Sequence, residues 1–400
     1  MAVDLAWQVF VPTFALVSGA LLHVCVSTRT VGKVLVFFGA QTFMNFYMKF
    51  VLSQSVVSEE LHLLGFPAAF ACTAIQQIVS FVLFVFMVGL SQLSPLSYNP
   101  KKLETSWEYV TVIVFSSTFV LNIALNNYSL SIVSLSINLI IRSCLPLSTY
   151  ISQTLFGSWA GVDVRKASPL ELLLMVLGTC CAVVAVYAKS QSKQDGGSDN
   201  LFLGVFVCVV SLFSGSMNLA LAGLLGSKAE LNALDTTLYM AVPAVIFLLG
   251  PIFLMRHPVE WPNQGNVTDW ETVVRVWSLR PTMMLLVVLS GVFSSFYNVL
   301  QYSIVQSLSA AYTAFAGNFN KAATIVIALM LGVDTLQGGA WSYLMLFAVC
   351  GNIGCFTLYS VVVSRSSQTG QDEEHNTLEL TSSWSETKFL ISEDTSSELA

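Results

Sequence analysis

Arg142 and Lys321 are the only charged side chains in residues 109–162 and 281–333, two stretches each apolar enough to cross a membrane twice. A cation inside hydrocarbon costs at least about 2.5 kcal/mol and is ordinarily kept on a polar cavity beside a counter-charge. Neither stretch contains Asp or Glu. The counter-charge is therefore expected on a ligand, and the chemistry is recognition of a small anionic solute. Lys321 offers a compact ammonium with three donors, suited to a phosphate or pyrophosphate; its alternative is a bond to a carbonyl at a helix end. Arg142 offers a two-pronged guanidinium from the other side of the cavity, with a backbone carbonyl as the competing partner. Ser143 and Pro146 beside it point to a locally opened helix.

Other polar residues accompany the cations. Tyr312, Thr313, Asn318 and Asn320 share the Lys321 helix and could hydrogen-bond a base or sugar, and Tyr297 could stack on a base. Lys49 sits near the end of its span, where snorkelling to the interface takes precedence over ligand contact. Gly317 reads as a site of close helix contact, and Asn122 and Asn298 as structural residues at matched positions. The eight cysteines lie inside apolar runs with no His at ligand spacing, so neither a disulfide framework nor a metal site is expected. No cofactor is expected, and no nucleophile stands with a base partner, so the chain does not read as an enzyme.

The elements that must position these residues are transmembrane helices. Of the 400 residues 55% are hydrophobic and 10% charged, with a mean hydropathy of +0.72, which excludes an ordinary soluble fold. The net charge of -6 comes from the end of the chain, since residues 366–400 hold eight acids and one Lys. Apolar runs place ten spans near 34–54, 64–90, 109–126, 131–156, 168–188, 201–225, 236–256, 281–304, 308–333 and 340–363. A further run at 5–27 lacks a basic start and reads as an extra, uncleaved helix.

The expected fold is thus an all-α polytopic membrane protein. Its parts are an N-terminal hydrophobic segment (1–30), a five-helix repeat (31–190), a hydrophilic loop (191–200), a second five-helix repeat (201–364) and a disordered acidic tail (365–400). Five spans per half give the halves inverted topology, with a solute site expected near the midplane between them. The fourth span of each half carries the lone cation. Asn122-Ile-Ala-Leu precedes Arg142 by twenty residues, and Asn298-Val-Leu-Gln precedes Lys321 by twenty-three. Basic residues favour a cytosolic start before the first of the ten spans and a cytosolic tail. Asn266-Val267-Thr268 then lies on the other side as an N-glycosylation triplet.

Asn45-Phe-Tyr-Met-Lys49 resembles the Asn-Lys element in the first span of the nucleotide-sugar and triose-phosphate translocators of the drug/metabolite transporter superfamily. Tyr297-Asn298 with Gly317-Asn318-Phe319-Asn320-Lys321 is similar to the Tyr-Asn and Gly-Asn-x-x-Lys elements of that group, and the resemblance covers about residues 30–363. Ala322 stands where plastid members typically carry Arg after the Lys, which weighs against a triose-phosphate exchanger. Gly317, Asn320 and Lys321 match the Gly-Ala-Leu-Asn-Lys motif of Golgi GDP-mannose transporters.

The resemblance implies a nucleotide-sugar: nucleoside monophosphate antiporter, with GDP-mannose as a lead. An exchanger of phosphorylated sugars or other organic anions against phosphate is the alternative. The acids nearest the spans, Glu171, Asp235 and Asp334, all fall at edges, consistent with exchange rather than proton coupling. The expected partners are the nucleotide-sugar, the nucleoside monophosphate and the bilayer, with a homodimer as a further candidate and no nucleic acid. Glu386-Thr-Lys-Phe-Leu390-Ile391 looks like an acidic dileucine signal for a sorting adaptor. A Golgi membrane is the expected location, with an endosomal or vacuolar membrane as the alternative.

Overall fold

The computed structural model describes residues 2–24, 29–93, 97–160, 166–192, 201–259, 261, 265–308, 313, 317, 320–321, 323–327, 339–359 and 361–363. Among these, eight helices are long and apolar enough to cross a membrane. Large apolar side chains such as Phe86, Leu173 and Ile246 face outward, while Asn122, Asn138, Ser211 and Asn218 are buried. That distribution reverses the one water imposes. The chain is an all-α polytopic membrane protein.

α1 (Ala2–Val24) packs along α2 (Arg29–Lys49). Their backbones approach so closely that a Cβ on Gly19 would meet Val36 N at 2.7 Å and one on Gly39 would meet Pro12 O at 2.7 Å, the small-residue packing usual within membranes. α2 runs into a π turn, Phe50–Gln54, and then a hairpin of β1 (Val56–Ser58) and β2 (Leu63–Leu64). The chain leaves the hairpin through Gly65 at φ +74, a backbone conformation that favours glycine. The second span therefore starts later than the apolar run suggests, as α3 (Ala69–Ser91).

α4 (Ser106–Ile132) opens on a capping box between Thr105 and Glu108. The expected fourth span at 131–156 is not one helix. Its first residues belong to α4, Ser134 caps a short α5 (Leu135–Arg142), and α6 (Leu145–Ala160) follows. α7 (Pro169–Ser192), α8 (Leu201–Ser227) and α9 (Ala233–Leu254) come next. The stretch after α9 holds a second hairpin, β3 (Arg256–Pro258) with β4 (Asn266–Thr268), and a short helix, α10 (Asp269–Leu279).

α11 (Thr282–Leu308) precedes the Lys321 segment, which is helical at the described positions between 313 and 327. α12 is described over 340–359 and 361–363. Residues 193–200 and 364–400, which contain most of the hydrophilic loop and all of the acidic tail, lie outside the described residues.

The helices interleave. α4 packs on α8 and α9, α11 packs on α2 and α3, and α3 and α9 pack on each other. One contiguous apolar core runs through these contacts, so the segments on either side of the hydrophilic loop share an interior.

Candidate functional site

An α-helix would give the Arg142 carbonyl the N–H of residue 146, four positions on. Residue 146 is proline, which has no N–H. The Lys321 ammonium takes that carbonyl, Nζ donating to Arg142 O at 2.7 Å. The break between α5 and α6 thus creates the acceptor that brings the two cations together. The Arg142 guanidinium is held from two other helices: Nη2 donates to Asn122 Oδ1 on α4 at 2.9 Å, and Nη1 to Ser211 Oγ on α8 at 2.9 Å. Ser211 in turn donates to Asn122 O at 2.7 Å, which fixes both acceptors.

All of these partners are neutral. Among the described residues the buried acids are Glu171, Asp235 and Asp269, and the ion pairs join Lys101 to Glu230, Arg256 to Glu271 and His257 to Asp269. None of them engages Arg142 or Lys321. A Lys carries three donors and an Arg five; described residues take one of the former and two of the latter. Among the described residues these two neighbouring cations thus have donors to spare and no carboxylate partner, and a group with this chemistry can accept an anion.

The other expected site residues divide. Asn320 has its whole amide engaged: Oδ1 accepts from Thr42 at 2.6 Å and lies 3.2 Å from the Thr324 hydroxyl, while Nδ2 donates to Gln41 Oε1 at 2.6 Å and Phe38 O at 3.3 Å. It ties the Lys321 segment to α2. Lys49 does not snorkel; Nζ donates to Leu130 O at 2.8 Å and Val133 O at 2.9 Å, satisfying carbonyls at the end of α4, where a cation also complements the helix dipole. Tyr297 stacks on Phe37 with centroids 5.9 Å apart and planes 10° from parallel, so Phe37 covers one side of the ring. Thr313 is buried near the start of the Lys321 segment.

Asn122, read from sequence as structural, is a direct partner of Arg142. Asn298 is buried on α11, and its Nδ2 has no acceptor among the described residues. Asn45 is half-buried on α2, one turn before Lys49. A Cβ on Gly317 would make only ordinary contact with the Gln41 amide, at 3.7 Å and 3.8 Å, so among the described residues no close approach requires glycine there. Asn318 and Tyr312 lie outside the described residues. Asn266 is exposed on β4, and the Thr268 of its triplet is the N-cap of α10, accepting from Glu271 N at 3.2 Å.

Sequence reasoning missed two rims. At the start of α3, Asp269 Oδ2 accepts from Ala71 N at 2.7 Å, and Asp269 Oδ1 lies 2.5 Å from His257 Nε2, both side chains being buried. The same rim is sealed by Trp261 Nε1 donating to Leu64 O at 2.8 Å and Arg280 Nη1 donating to Val56 O at 2.5 Å. Beyond the other end of α3, Asp235 accepts from Tyr98 Oη at 2.6 Å and Lys101 N at 3.3 Å, and Lys101 Nζ donates to Ala229 O at 2.8 Å. Burial first, then the bond to Asp235, pushes the Tyr98 phenol up to about 12. The only sequence signal for either rim was the position of the acids and His257 at helix ends.

No protein-family model matches the chain, and no curated protein sequence matches it. A solved structure titled only "Crystal structure of protein" aligns over 82% of this chain and 98% of its own, with 13% identity and a TM-score of 0.44. A likeness at that level carries no argument.

Proposed function

We propose that this protein is a secondary transporter that exchanges small anionic solutes, with a nucleotide-sugar carried one way and a nucleoside monophosphate the other. The observation that carries the reading is the meeting of Lys321 with the Arg142 carbonyl while Arg142 itself rests only on neutral oxygens. A purely structural lysine would be satisfied by the carbonyl. A second cation beside it, the half-buried Arg142 guanidinium, with no acid partner among the described residues, adds a charge that a bound anion would offset.

The packing supports ten spans arranged as two inverted repeats. If the halves are exchanged, the contact of α4 with α8 and α9 maps onto that of α11 with α2 and α3, and the α3–α9 contact maps onto itself. The rims correspond as well: the β1–β2 hairpin meets the stretch between α9 and α11 at one face, and residues 229–235 meet residues 98–101 at the other. Such a fold places a solute site between repeats. Asn320 and Lys49 serve in this reading as helix ties, and Arg142, Lys321 and Tyr297 as the ligand-facing set.

Proteoliposomes preloaded with nucleoside monophosphates and offered a panel of labelled nucleotide-sugars and phosphorylated sugars test the proposal. Uptake should be accelerated by the matching internal monophosphate and indifferent to collapse of a pH gradient. Uptake that needs the gradient and ignores the internal nucleotide would sink the exchange mechanism.

A further inference from the structure

α10 is eleven residues long, about 16 Å at 1.5 Å per residue, too short to span a membrane. It has three distinct faces. Asp269, Thr272 and Val276 are buried, on a helix that packs against α3, α9 and α11. Glu271 and Ser278 are exposed and polar, with Glu271 paired to Arg256 at 3.3 Å. The third face displays Trp270, Val274 and Trp277, which are 49%, 51% and 62% exposed. At about 100° per residue these three fall within about 60° of one another, with Glu271 and Ser278 bordering them on one side. A helix lying wholly in water gains nothing from displaying two tryptophans, and one sunk in hydrocarbon would not display an ion pair.

The apolar face does not stop at α10. Phe253, near the end of α9, packs its ring on Trp270 with centroids 5.3 Å apart. Phe253 also continues the exposed row of Ile246 and Leu249 on α9, which occupies one side of that membrane span. The lipid-facing surface of α9 therefore runs without interruption onto α10.

We infer that α10 lies in the interfacial layer of the bilayer at the face where α9 ends, with Trp270, Val274 and Trp277 seated between headgroups and acyl chains and the Arg256–Glu271 pair on the water side. Tryptophan favours that layer because its ring is apolar and its N–H is not, and a short helix with one apolar face settles in the plane of the interface. The position has a mechanical consequence. Asp269, the first residue of α10, holds Ala71 at the start of α3, so the lipid surface sets the depth of that helix end. The inference does not depend on which solute is carried.

The test uses the full chain in phosphatidylcholine vesicles containing lipid quenchers attached high or low on the acyl chain. The Trp277 signal is isolated as the difference in emission between the wild type and Trp277→Phe. Most of that difference should be lost to the shallow quencher, less to the deep one, and little to aqueous iodide. Loss to iodide alone would overturn the inference. A fluorophore on Val274→Cys gives a second reading independent of tryptophan content and should show the same order. Cross-linking of that cysteine between two copies, with neither lipid quencher effective, would assign the face to a protein contact and would also overturn it.

Discussion

Arg142 and Lys321 in the interior, and Asp235 and Asp269 at the two rims, are all charges removed from water, but their surroundings differ in kind. Each rim acid sits among donors that complete it: Asp269 has an amide N–H and His257, and Asp235 has a phenol and an amide N–H. The two rims lie beyond opposite ends of α3, about 35 Å apart for its 23 residues, and they join segments from both sides of the hydrophilic loop. The interior cations have hydrogen bonds but no counter-charge among the described residues. A satisfied polar network holds a structure in one arrangement, whereas a charged network lacking its counter-charge binds whatever supplies it. The rims close the molecule; the interior, in the proposed function, is where the solute would bind.

The largest break in that comparison should come from Lys321→Ala. Loss of a charge-assisted contact of about 3 kcal/mol should lower exchange by roughly a hundredfold, while expression and membrane insertion remain intact. Wild-type exchange by a well-folded variant would remove Lys321 from the site. Asn122→Asp should come next. It places in the interior the acid that the rims have, beside the Arg142 guanidinium, and an internal ion pair should cut anion affinity by about tenfold or more without loss of thermal stability. Unchanged monophosphate binding would mean that Arg142 does not face the ligand.

The rims predict the opposite pattern. Asp269→Asn deprives the start of α3 of its anion and His257 of its partner, and breaking a buried pair on one side should cost about 3 kcal/mol of stability with the apparent KM for exchange unchanged. A shift in KM with no change in unfolding would transfer Asp269 to the transport site. The smallest effect belongs to Tyr98. Its phenol is held up at about 12 by burial and by Asp235, so folding favours the neutral form. That contribution is complete below the ordinary phenol value of 10.0 and is lost as pH rises toward 12. Tyr98→Phe should show a shallower fall in stability over that window, and identical profiles would detach Tyr98 from the rim's stability.

The sequence by itself determined the membrane class and singled out Arg142 and Lys321, because hydrocarbon penalises a charge whatever its neighbours. It also pointed to the break beside Arg142, since a missing N–H at Pro146 is a local fact. What it could not supply was partners. Arg142 finds Ser211 at 69 positions' distance, Lys321 finds Arg142 at 179 and Asn320 finds Thr42 at 278. A polar side chain in an apolar run looks the same from sequence whether it will meet a ligand or another helix. Tertiary packing therefore decided that Asn122 serves Arg142, that Asn320 and Lys49 tie helices, and that His257 and Asp269 form a buried pair, because a hydrogen bond depends on which helix faces the donor and on nothing local to the chain.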